Sequence, residues 1–333
     1  MTRALYVMDP LSSVNPLKDT TFALMLEAQA RGMENLVCGV NDLWTEGAKG
    51  FARVARVEVR TPTPHDVTHA KVLAVEDLCF DDIDVIWMRK DPPVDDVFLY
   101  ACMMLDRADP ARTLVLNNPQ SLRVAHEKLW GLFADDVTPR QVVSSRPDIL
   151  VAFVQKMGRG VLKPLHLMGG MGVMAFDAKD KNLRSAADLL TLEGRRPAIA
   201  QEFLPAVRDG DKRVILLDGD PVGAVLRVPR EDDVRSNLHV GGTAKRAEID
   251  DDDRRICARL KPHLLELGLF FVGIDVIGGK LTEVNVTSPT GVQEIDVLDA
   301  RSGKQRMPSL TWDRVEEKLA ARAAPSRAVH IPA

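Results

Sequence analysis

The chain has 333 residues, of which 45% are hydrophobic, so it is long enough for two or three domains with cores of their own. Its formal net charge of -4 gives no basic field of the kind that drives nucleic-acid binding. No run approaches the roughly 18 apolar residues of a membrane span, and the first apolar run is too short for a signal peptide. The composition therefore predicts a cytoplasmic protein that binds neither nucleic acid nor membrane.

Short apolar runs alternate with helical patterns over the first third of the chain. The run "ALYVMD" predicts a buried strand that stops at Asp9-Pro10, and "DTTFALMLEAQARG" predicts a helix with Asp19 as N-cap and Gly32 as its end. Further buried strands are predicted at "NLVCGV", "IDVIWMR" and "TLVLNN", with a helix at "VFLYACMMLDRA". Because alternating strands and helices favour parallel pairing, the region predicts a mostly parallel sheet through about residue 120.

The pattern changes in the second part of the chain. A smaller α+β unit is predicted from the helix "SLRVAHEKLWGLF", the strand "QVVSS", the helix "PDILVAFVQKMG" and the strands "GVLKPL" and "GVMAFD". Longer strands follow at "IAQEFL", around the Asp218-Gly219 turn and around Gly278-Gly279. Two more helices are predicted, "DDDRRICARLKPHLLELG" and "TWDRVEEKLAARA", the first with the acidic N-terminus that the helix dipole favours.

A single carboxylate, Asp275, interrupts the apolar run "FFVGIDVIGGK". If the next turn is Gly278-Gly279-Lys280 with a bulge, Asp275 lies opposite Glu283, with Cβ atoms about 5 Å apart, and Asn285 shares their face. Two carboxylates and an amide suit Mg²⁺, and Glu283 could bridge two ions about 3.5 to 4 Å apart. The alternative for Glu283 and Asn285 is a solvated sheet face, but an unpaired Asp275 in so apolar a strand would be costly.

A lysine and a glycine-rich loop follow each other in "VLKPLHLMGGMGV". Lys163 precedes Gly169, Gly170 and Gly172, and glycines let backbone N–H groups close on phosphate oxygens. An ordinary hairpin turn is the alternative. Lys128, in the predicted helix at "AHEKLW", is flanked by Leu129 and Trp130, and a surface lysine whose stem packs on apolar neighbours is its usual explanation.

Three arginines stand in or beside predicted strands. Arg227 is isolated among apolar residues and therefore needs an anionic partner, either a carboxylate of the protein or a bound phosphate. Arg213 lies on the other strand of the same hairpin. Arg89 ends a buried strand of the first sheet, where open α/β sheets bind ligands.

Seven stretches together resemble the bacterial glutathione synthetases of the ATP-grasp superfamily. They are, in chain order, "VMDPLSSVNPLKDTTFALMLEAQ", "VIWMRKDPP", "NNPQSLRVAHEKL", "LKPLHLMGG", "FLPAVRDGDKRV", "NLHVGG" and "FVGIDVIGGKLTEVNVTSPT". The match runs to about residue 296, and such a set in this order is highly specific, whereas one stretch alone would not be. The resemblance implies an α/β protein with an ATP-grasp fold and an N-terminal Rossmann-like domain.

The resemblance also implies an activity and a set of site residues. The implied enzyme joins γ-glutamylcysteine and glycine through an acyl phosphate and releases glutathione, ADP and phosphate. The implied nucleotide-binding residues are Lys128, Lys163, Gly169, Gly170, Gln201, Glu202, Phe203, Leu204 and Asp211. The implied metal ligands are Asp275, Glu283 and Asn285, for two Mg²⁺ ions. The substrate would be bound by Arg89, Asn285, Ser288, Pro289 and Thr290, with Arg213 and Arg227 as catalytic residues.

The predicted organisation has four parts, and the resemblance implies a homotetramer. Residues 1–122 would form the Rossmann-like substrate-binding domain, 123–200 the central lid subdomain, 201–320 the catalytic and magnesium-binding subdomain, and 321–333 a tail. Residues 229–242 are predicted to form a second lid.

Three stretches depart from the family pattern on the acceptor side: His166-Leu167, residues 229–237 and Gly291. One alternative is therefore an ATP-grasp ligase with another amino-acid or amine acceptor. A second alternative, from another class, is a non-catalytic ATP-binding protein of the synapsin kind, against which the complete set of Asp275, Glu283 and Asn285 argues.

Overall fold

Three β-sheets of seven, four and five strands follow one another along the chain, which confirms the predicted α/β class. The computed structural model describes residues 1–63, 68–229, 242–300 and 302–323. Most of the predicted second lid, residues 230–241, lies outside this described part, as does the end of the predicted tail from residue 324.

The seven-stranded sheet is mixed and not mostly parallel. Its strands are β1 Arg3–Val7, β2 Glu34–Cys38, β3 Leu43–Glu46, β4 Lys49–Val59, β5 Ala70–Cys79, β6 Val85–Met88 and β7 Leu114–Leu116. Strands β2, β1, β6 and β7 are parallel neighbours, whereas β4 is antiparallel to β2, β3 and β5. The antiparallel part was missed because β5 exposes side chains on both faces and therefore shows no alternation of apolar and polar residues.

Three helices belong to this first part: α1 Thr20–Ala30, α2 Asp96–Leu105 and α3 Pro119–Val124. The predicted limits of α1 are confirmed. The Asp19 side chain accepts from the Phe22 N–H at 2.6 Å, and Gly32 takes a positive φ of 75° directly after the C-cap.

The other two sheets are antiparallel. The four-stranded sheet contains β8 Gln141–Ser144, β9 Arg159–Pro164, β10 Met174–Asp177 and β11 Ala198–Glu202, with helices α4 Pro147–Met157 and α5 Leu183–Leu190. The five-stranded sheet contains β12 Asp211–Leu217, β13 Asp220–Val228, β14 Thr243–Arg246, β15 Phe271–Ile277 and β16 Lys280–Asn285. The last helices are α6 Asp251–Glu266, α7 Val292–Asp299 and α8 Met307–Ala323.

The predicted domain boundaries after residues 122, 200 and 320 fall inside α3, β11 and α8. Strand β11 pairs with β8 and β9, so its last two residues, Gln201 and Glu202, belong to the four-stranded sheet. The division into domains itself stays a prediction.

The seven-stranded and five-stranded sheets share one hydrophobic core, whereas the four-stranded sheet has its own. One cluster of buried residues joins Val54 and Ile86 to Val272 and Ile274, whereas the four-stranded sheet has a separate core around Leu162. The edges of these two units therefore leave a cleft between them. No helix in the described part of the chain is long and apolar enough to cross a membrane.

Candidate active site

A cleft opens between the four-stranded and five-stranded sheets. Its apolar lining residues are Val161, Val173, Phe203, Leu204, Val207 and Ile277. Its charged lining residues are Lys163, Glu202, Asp211, Asp275 and Glu283. A lining with both apolar and charged side chains suits a ligand with a flat base and a polyphosphate. Gly170 and Gln201 also line the cleft, so it gathers seven of the nine predicted nucleotide-binding residues.

Asp275 on β15 pairs directly with Glu283 on β16, as predicted. The predicted three-residue loop is wrong, however. Ile277 pairs with Lys280, so the loop is Gly278-Gly279, and the register shift lies between Asp275 and Val276. The extra residue is Thr282, whose hydroxyl donates to the Asp275 carbonyl at 3.1 Å. A bulge within the strand therefore brings the two carboxylates to one face.

Two arginines hold the Asp275 carboxylate, which is only 3% exposed. Arg213 donates from Nε at 2.5 Å and from Nη2 at 3.0 Å, and Arg227 Nη2 lies 2.9 Å away. Burial alone would raise the pKa of Asp275, but the two guanidinium groups hold it well below its ordinary range. Asp275 is therefore ionised, and its oxygens already have partners.

Arg227 lies among apolar residues and needs an anionic partner. Its partners in the structure are carboxylates of the protein. Besides Asp275 it contacts Asp211, at 2.5 Å from Nη2. Burial raises the pKa of Asp211, although Arg227 opposes the effect. The buried Nε of Arg227 has no hydrogen-bond partner among the described residues, so one donor remains available to a ligand oxygen.

The predicted magnesium ligands lie on one face of the sheet, but only two of them are carboxylates. Asn285 Nδ2 donates to the Gly273 carbonyl at 3.2 Å and to Asp275 at 3.4 Å. Oxygen donors of this kind suit Mg²⁺. The described residues contain no cluster of three or more His, Cys, Asp or Glu side chains that could hold a metal, so the site stays a prediction that needs oxygens from a ligand.

Lys163 lines the cleft together with Asp275 and Glu283, and Lys128 lies near Glu283. Burial lowers the pKa of Lys163, while Glu283 opposes the shift. The Lys128 ammonium donates to the Leu167 carbonyl at 2.8 Å and lies 3.8 Å from Glu283. The predicted helix around Lys128 is wrong: α3 ends at Val124, and Lys128 lies in the turn that follows.

The loop between β9 and β10 has the glycine geometry that a ligand-closing loop needs. Gly169, Gly170 and Gly172 have φ values of 62°, 79° and 70°, which other residues rarely adopt. A Cβ at Gly169 would meet nothing within 4 Å, whereas one at Gly172 would lie 2.9 Å from Pro164. Gly169 therefore lies in open space, while Gly170 lines the cleft.

The predicted substrate turn bridges the first and third sheets. Arg89, 4% exposed, donates to the Pro289 carbonyl at 3.1 Å and to Thr21 at 3.0 Å. Arg213 donates to the Thr290 carbonyl at 3.2 Å, and the Ser288 hydroxyl donates to Asp91. Arg89, Ser288, Pro289 and Thr290 therefore lie in or beside one turn, whereas Asn285 is the last residue of β16.

Two supporting residues were not identified from the sequence. Glu127 Oε1 accepts from the Val286 and Thr287 N–H groups and from the Thr287 hydroxyl, at 2.9 to 3.2 Å. The Asn117 side chain bonds the backbone of Phe271 and Val286 at 2.7 to 2.8 Å. No local pattern marks either residue, because the partners lie more than 150 positions away.

Two family models together match almost all of the chain. The prokaryotic glutathione synthetase N-terminal domain matches residues 2–123, and the ATP-grasp domain of the same family matches residues 127–300.

Curated relatives are similar over most of their length. A glutathione synthetase of Parasynechococcus marenigrum is 47% identical over 89% of this chain and 94% of its own. Those of Thermosynechococcus vestitus and Yersinia pestis are 43% and 42% identical, over 91% and 96% of this chain and 97% and 98% of their own.

Solved structures show the fold. The D-cycloserine synthetase DcsG has a TM-score of 0.61 at 16% identity and covers 96% of this chain and 100% of its own. The ATP-grasp ligase PsnB has a TM-score of 0.59 at 19% identity, with 96% of this chain and 99% of its own covered. The predicted ATP-grasp fold is thereby confirmed.

Proposed function

This chain belongs to the prokaryotic glutathione synthetase family, and from that membership we propose that it joins γ-glutamylcysteine to glycine at the expense of ATP. The products are glutathione, ADP and phosphate. The observation that carries the proposal is the cleft, whose lining combines Lys163, Asp211 and Glu283 with apolar side chains. The substrate turn with Arg89 and Arg213 adjoins it.

The reaction needs activation, because a carboxylate does not react with an amine. ATP phosphorylates the cysteinyl carboxylate, the glycine amine attacks the acyl phosphate, and phosphate leaves. This chain contributes positive charge beside the transferring phosphoryl group and fixed positions for both reactants. No side chain acts as a nucleophile.

Each charged residue has a distinct role in this proposal. Lys128 and Lys163 hold the nucleotide phosphates, and the edge Gln201 to Leu204 meets the adenine. Arg227 presents its free Nε to a phosphoryl oxygen, while Arg213 stays fixed by Asp275. Preorganised donors of this kind stabilise developing negative charge without reorganisation in the transition state.

Mg²⁺ would be held by Asp275, Glu283 and Asn285 together with phosphate oxygens, and we propose two ions. When bound, Mg²⁺ offsets the negative charge of the phosphates. PsnB, which shares the fold, has been solved with Mg and ADP. The carboxylate of Glu283 is the better placed ligand, since both oxygens of Asp275 contact arginines.

We further propose a cytoplasmic homotetramer. Four free cysteines, Cys38, Cys79, Cys102 and Cys257, support a reducing compartment.

The experiment that tests the function measures ADP release with γ-glutamylcysteine against a panel of amino acids and amines. ADP release that requires glycine supports the proposal. ADP release that requires an acceptor other than glycine supports an ATP-grasp ligase with a different acceptor. ATP binding without ADP release in the presence of any acceptor supports a non-catalytic ATP-binding protein.

A further inference from the structure

The Arg89 guanidinium is buried beside uncharged hydrogen-bond partners. Its Nε donates to the Thr21 hydroxyl at 3.0 Å, and its Nη2 donates to the Pro289 carbonyl at 3.1 Å. Burial lowers the pKa of Arg89, and the charges of Asp19 and Asp91 oppose the shift. Neither of these two described carboxylates lies close enough to form an ion pair with Arg89. A buried cation without a contacting carboxylate needs stabilisation from another source.

The aromatic ring of Phe271 lies against the guanidinium of Arg89. Arg89 Cζ lies over the ring, 5.3 Å from its centroid. The attraction between a cation and a ring face is strongest where water is excluded, as it is around this buried side chain. The guanidinium is planar, and its N–H groups donate within its plane. The two hydrogen bonds therefore fix edges of the guanidinium, whereas the ring fixes its tilt.

The Phe271 ring is itself held in place. The Asn117 side chain accepts from the Phe271 N–H and donates to the Phe271 carbonyl, both at 2.8 Å. The Trp87 ring packs against the Phe271 ring at 84°, with 6.3 Å between the centroids. Because Asn117 binds the main chain, a substitution of the Phe271 side chain keeps these hydrogen bonds.

Three residues on one face of β15 support the substrate side of the site. Phe271, Gly273 and Asp275 share this face, since alternate residues of a strand point the same way and the pairing with β12 is regular here. An added Cβ at Gly273 would lie 2.8 Å from Pro289 Cβ, so the substrate turn packs on this glycine. The Asp275 carboxylate holds two arginines of the site. Phe271 completes the face by supporting Arg89.

We propose that Phe271 is a positioning residue for the γ-glutamylcysteine site, whose ring holds the Arg89 guanidinium at the tilt that presents Nη1 to a substrate carboxylate. Arg89 Nη1 makes no hydrogen bond to any residue that the structure describes. Its N–H groups are therefore available to a ligand. A guanidinium that is already fixed loses little side-chain freedom when the substrate binds. This inference rests on the proposed function, in which Arg89 binds the substrate.

The preceding residue, Phe270, provides a matched control. Phe270 and Phe271 are 2% and 1% exposed, and both rings contact Trp87. A cation also lies over the Phe270 ring, but it is the ammonium of Lys318 on α8, 5.2 Å from the centroid. A change at Phe270 therefore removes the same kind of packing without affecting Arg89.

The first test compares the steady-state kinetics of full-length Phe271→Leu and Phe270→Leu. In Phe271→Leu we expect the KM for γ-glutamylcysteine to rise about tenfold, because the substrate must then order a freed Arg89 side chain. The kcat and the KM for ATP should stay within about threefold of the wild type. Phe270→Leu should leave all three constants within about threefold of the wild type. The melting temperatures show whether both variants fold.

The second test keeps the volume of the ring. A trifluorinated phenylalanine, with fluorines on the three ring carbons farthest from Cβ, replaces Phe271 or Phe270. The fluorines withdraw electron density from the ring face and weaken its attraction for a cation. We expect the KM for γ-glutamylcysteine to rise about threefold with this residue in place of Phe271 and to stay unchanged with it in place of Phe270. A role in core packing alone would not respond to the fluorines.

The possible failures can be distinguished. A wild type that releases no ADP with γ-glutamylcysteine and any acceptor would overturn the proposed function and this inference with it. An active wild type whose KM for γ-glutamylcysteine responds equally to changes at Phe271 and Phe270 would overturn the inference alone. A rise in the KM for ATP as large as that for γ-glutamylcysteine would also overturn it, because the whole site would then be disturbed.

Discussion

Glu127 holds Thr287 through one carboxylate oxygen, which accepts from the Thr287 N–H at 3.2 Å and from its hydroxyl at 2.9 Å. The same oxygen accepts from the Val286 N–H at 3.1 Å. Thr287 directly precedes the substrate turn, and Glu127 directly precedes Lys128. One side chain thus connects the nucleotide and substrate sides of the site.

Glu127→Ala should lower kcat/KM for γ-glutamylcysteine by about 10² because a displaced turn misaligns the reactants. It also leaves two N–H groups without an acceptor, at about 1 to 3 kcal/mol each. Glu127→Gln keeps one acceptor oxygen and should stay within about threefold of the wild type. Steady-state kinetics of both variants measure the loss in kcat/KM, and thermal melts measure the loss in stability. Equal losses in the two variants would show that the charge matters and not the hydrogen bonds.

Glu283→Gln should lower turnover by about 10² or more with little change in melting temperature. The side chain is 25% exposed, and among the described residues its one ion pair is with Lys128 at 3.8 Å, so its loss costs the fold little. The exposed Glu248→Gln is the matched control. Near-normal turnover of Glu283→Gln at saturating Mg²⁺ would refute the metal assignment.

Gly273→Ala should displace the substrate turn without unfolding the protein. An added Cβ would lie 2.8 Å from Pro289 Cβ and 3.1 Å from Arg213 Cδ. We expect the KM for γ-glutamylcysteine to rise about tenfold or more. Gly131→Ala, whose Cβ would make ordinary contacts at 3.5 Å and 3.6 Å, is the control. Equal kinetics of the two variants would contradict the role of the turn.

ATP binding should weaken with rising pH because of Lys163. Burial lowers the pKa of this lysine in the free protein, Glu283, Asp211 and Asp275 oppose the shift, and Lys128 adds to it. Bound phosphates favour the ammonium form, so ATP binding takes up a proton above the lowered pKa. At pH values above the lowered pKa of Lys163, we expect the Kd of ATP to rise by up to about tenfold per pH unit.

Isothermal titration at about pH 7 to about pH 10, in buffers of different ionisation enthalpy, measures the proton uptake. Lys163→Arg should abolish it, because a guanidinium stays charged in this range. Equal uptake by the wild type and the variant would assign the effect to another group.

The pairing of Asp275 with Glu283 could be predicted from the sequence because both lie on strands with a strict period of two, whereas most of the other site residues were assigned through the family resemblance. Asp275 and Glu283 face each other as alternation predicted, but the bulge at Thr282 depends on backbone geometry that the sequence does not mark. The turn around Lys128 could not be predicted either, since Val284 and Val286 hold it from far along the chain. Long-range hydrogen bonds overrode a local helical pattern there.

The fold, like the site, could be predicted only in part from local sequence patterns. Buried strands such as β6 and helices with clear caps such as α1 were predicted, whereas β5 was missed because charges occur on both of its faces. The predicted domain limits after residues 122 and 320 fall inside α3 and α8, and the division into domains stays a prediction.

Acceptor choice is the most direct test of the proposed activity. A site that selects glycine must exclude larger amino acids by closing around the acceptor Cα. One additional methyl group changes the discrimination by about 1 to 3 kcal/mol, so glycine should be preferred over alanine by roughly 10- to 100-fold. The decisive measurement identifies products by mass. The enzyme is incubated with ATP and γ-glutamylcysteine and with glycine, alanine, serine or simple amines, each at the same concentration. Glutathione as the main product is the predicted result, and a higher kcat/KM for alanine or an unrelated amine would contradict it.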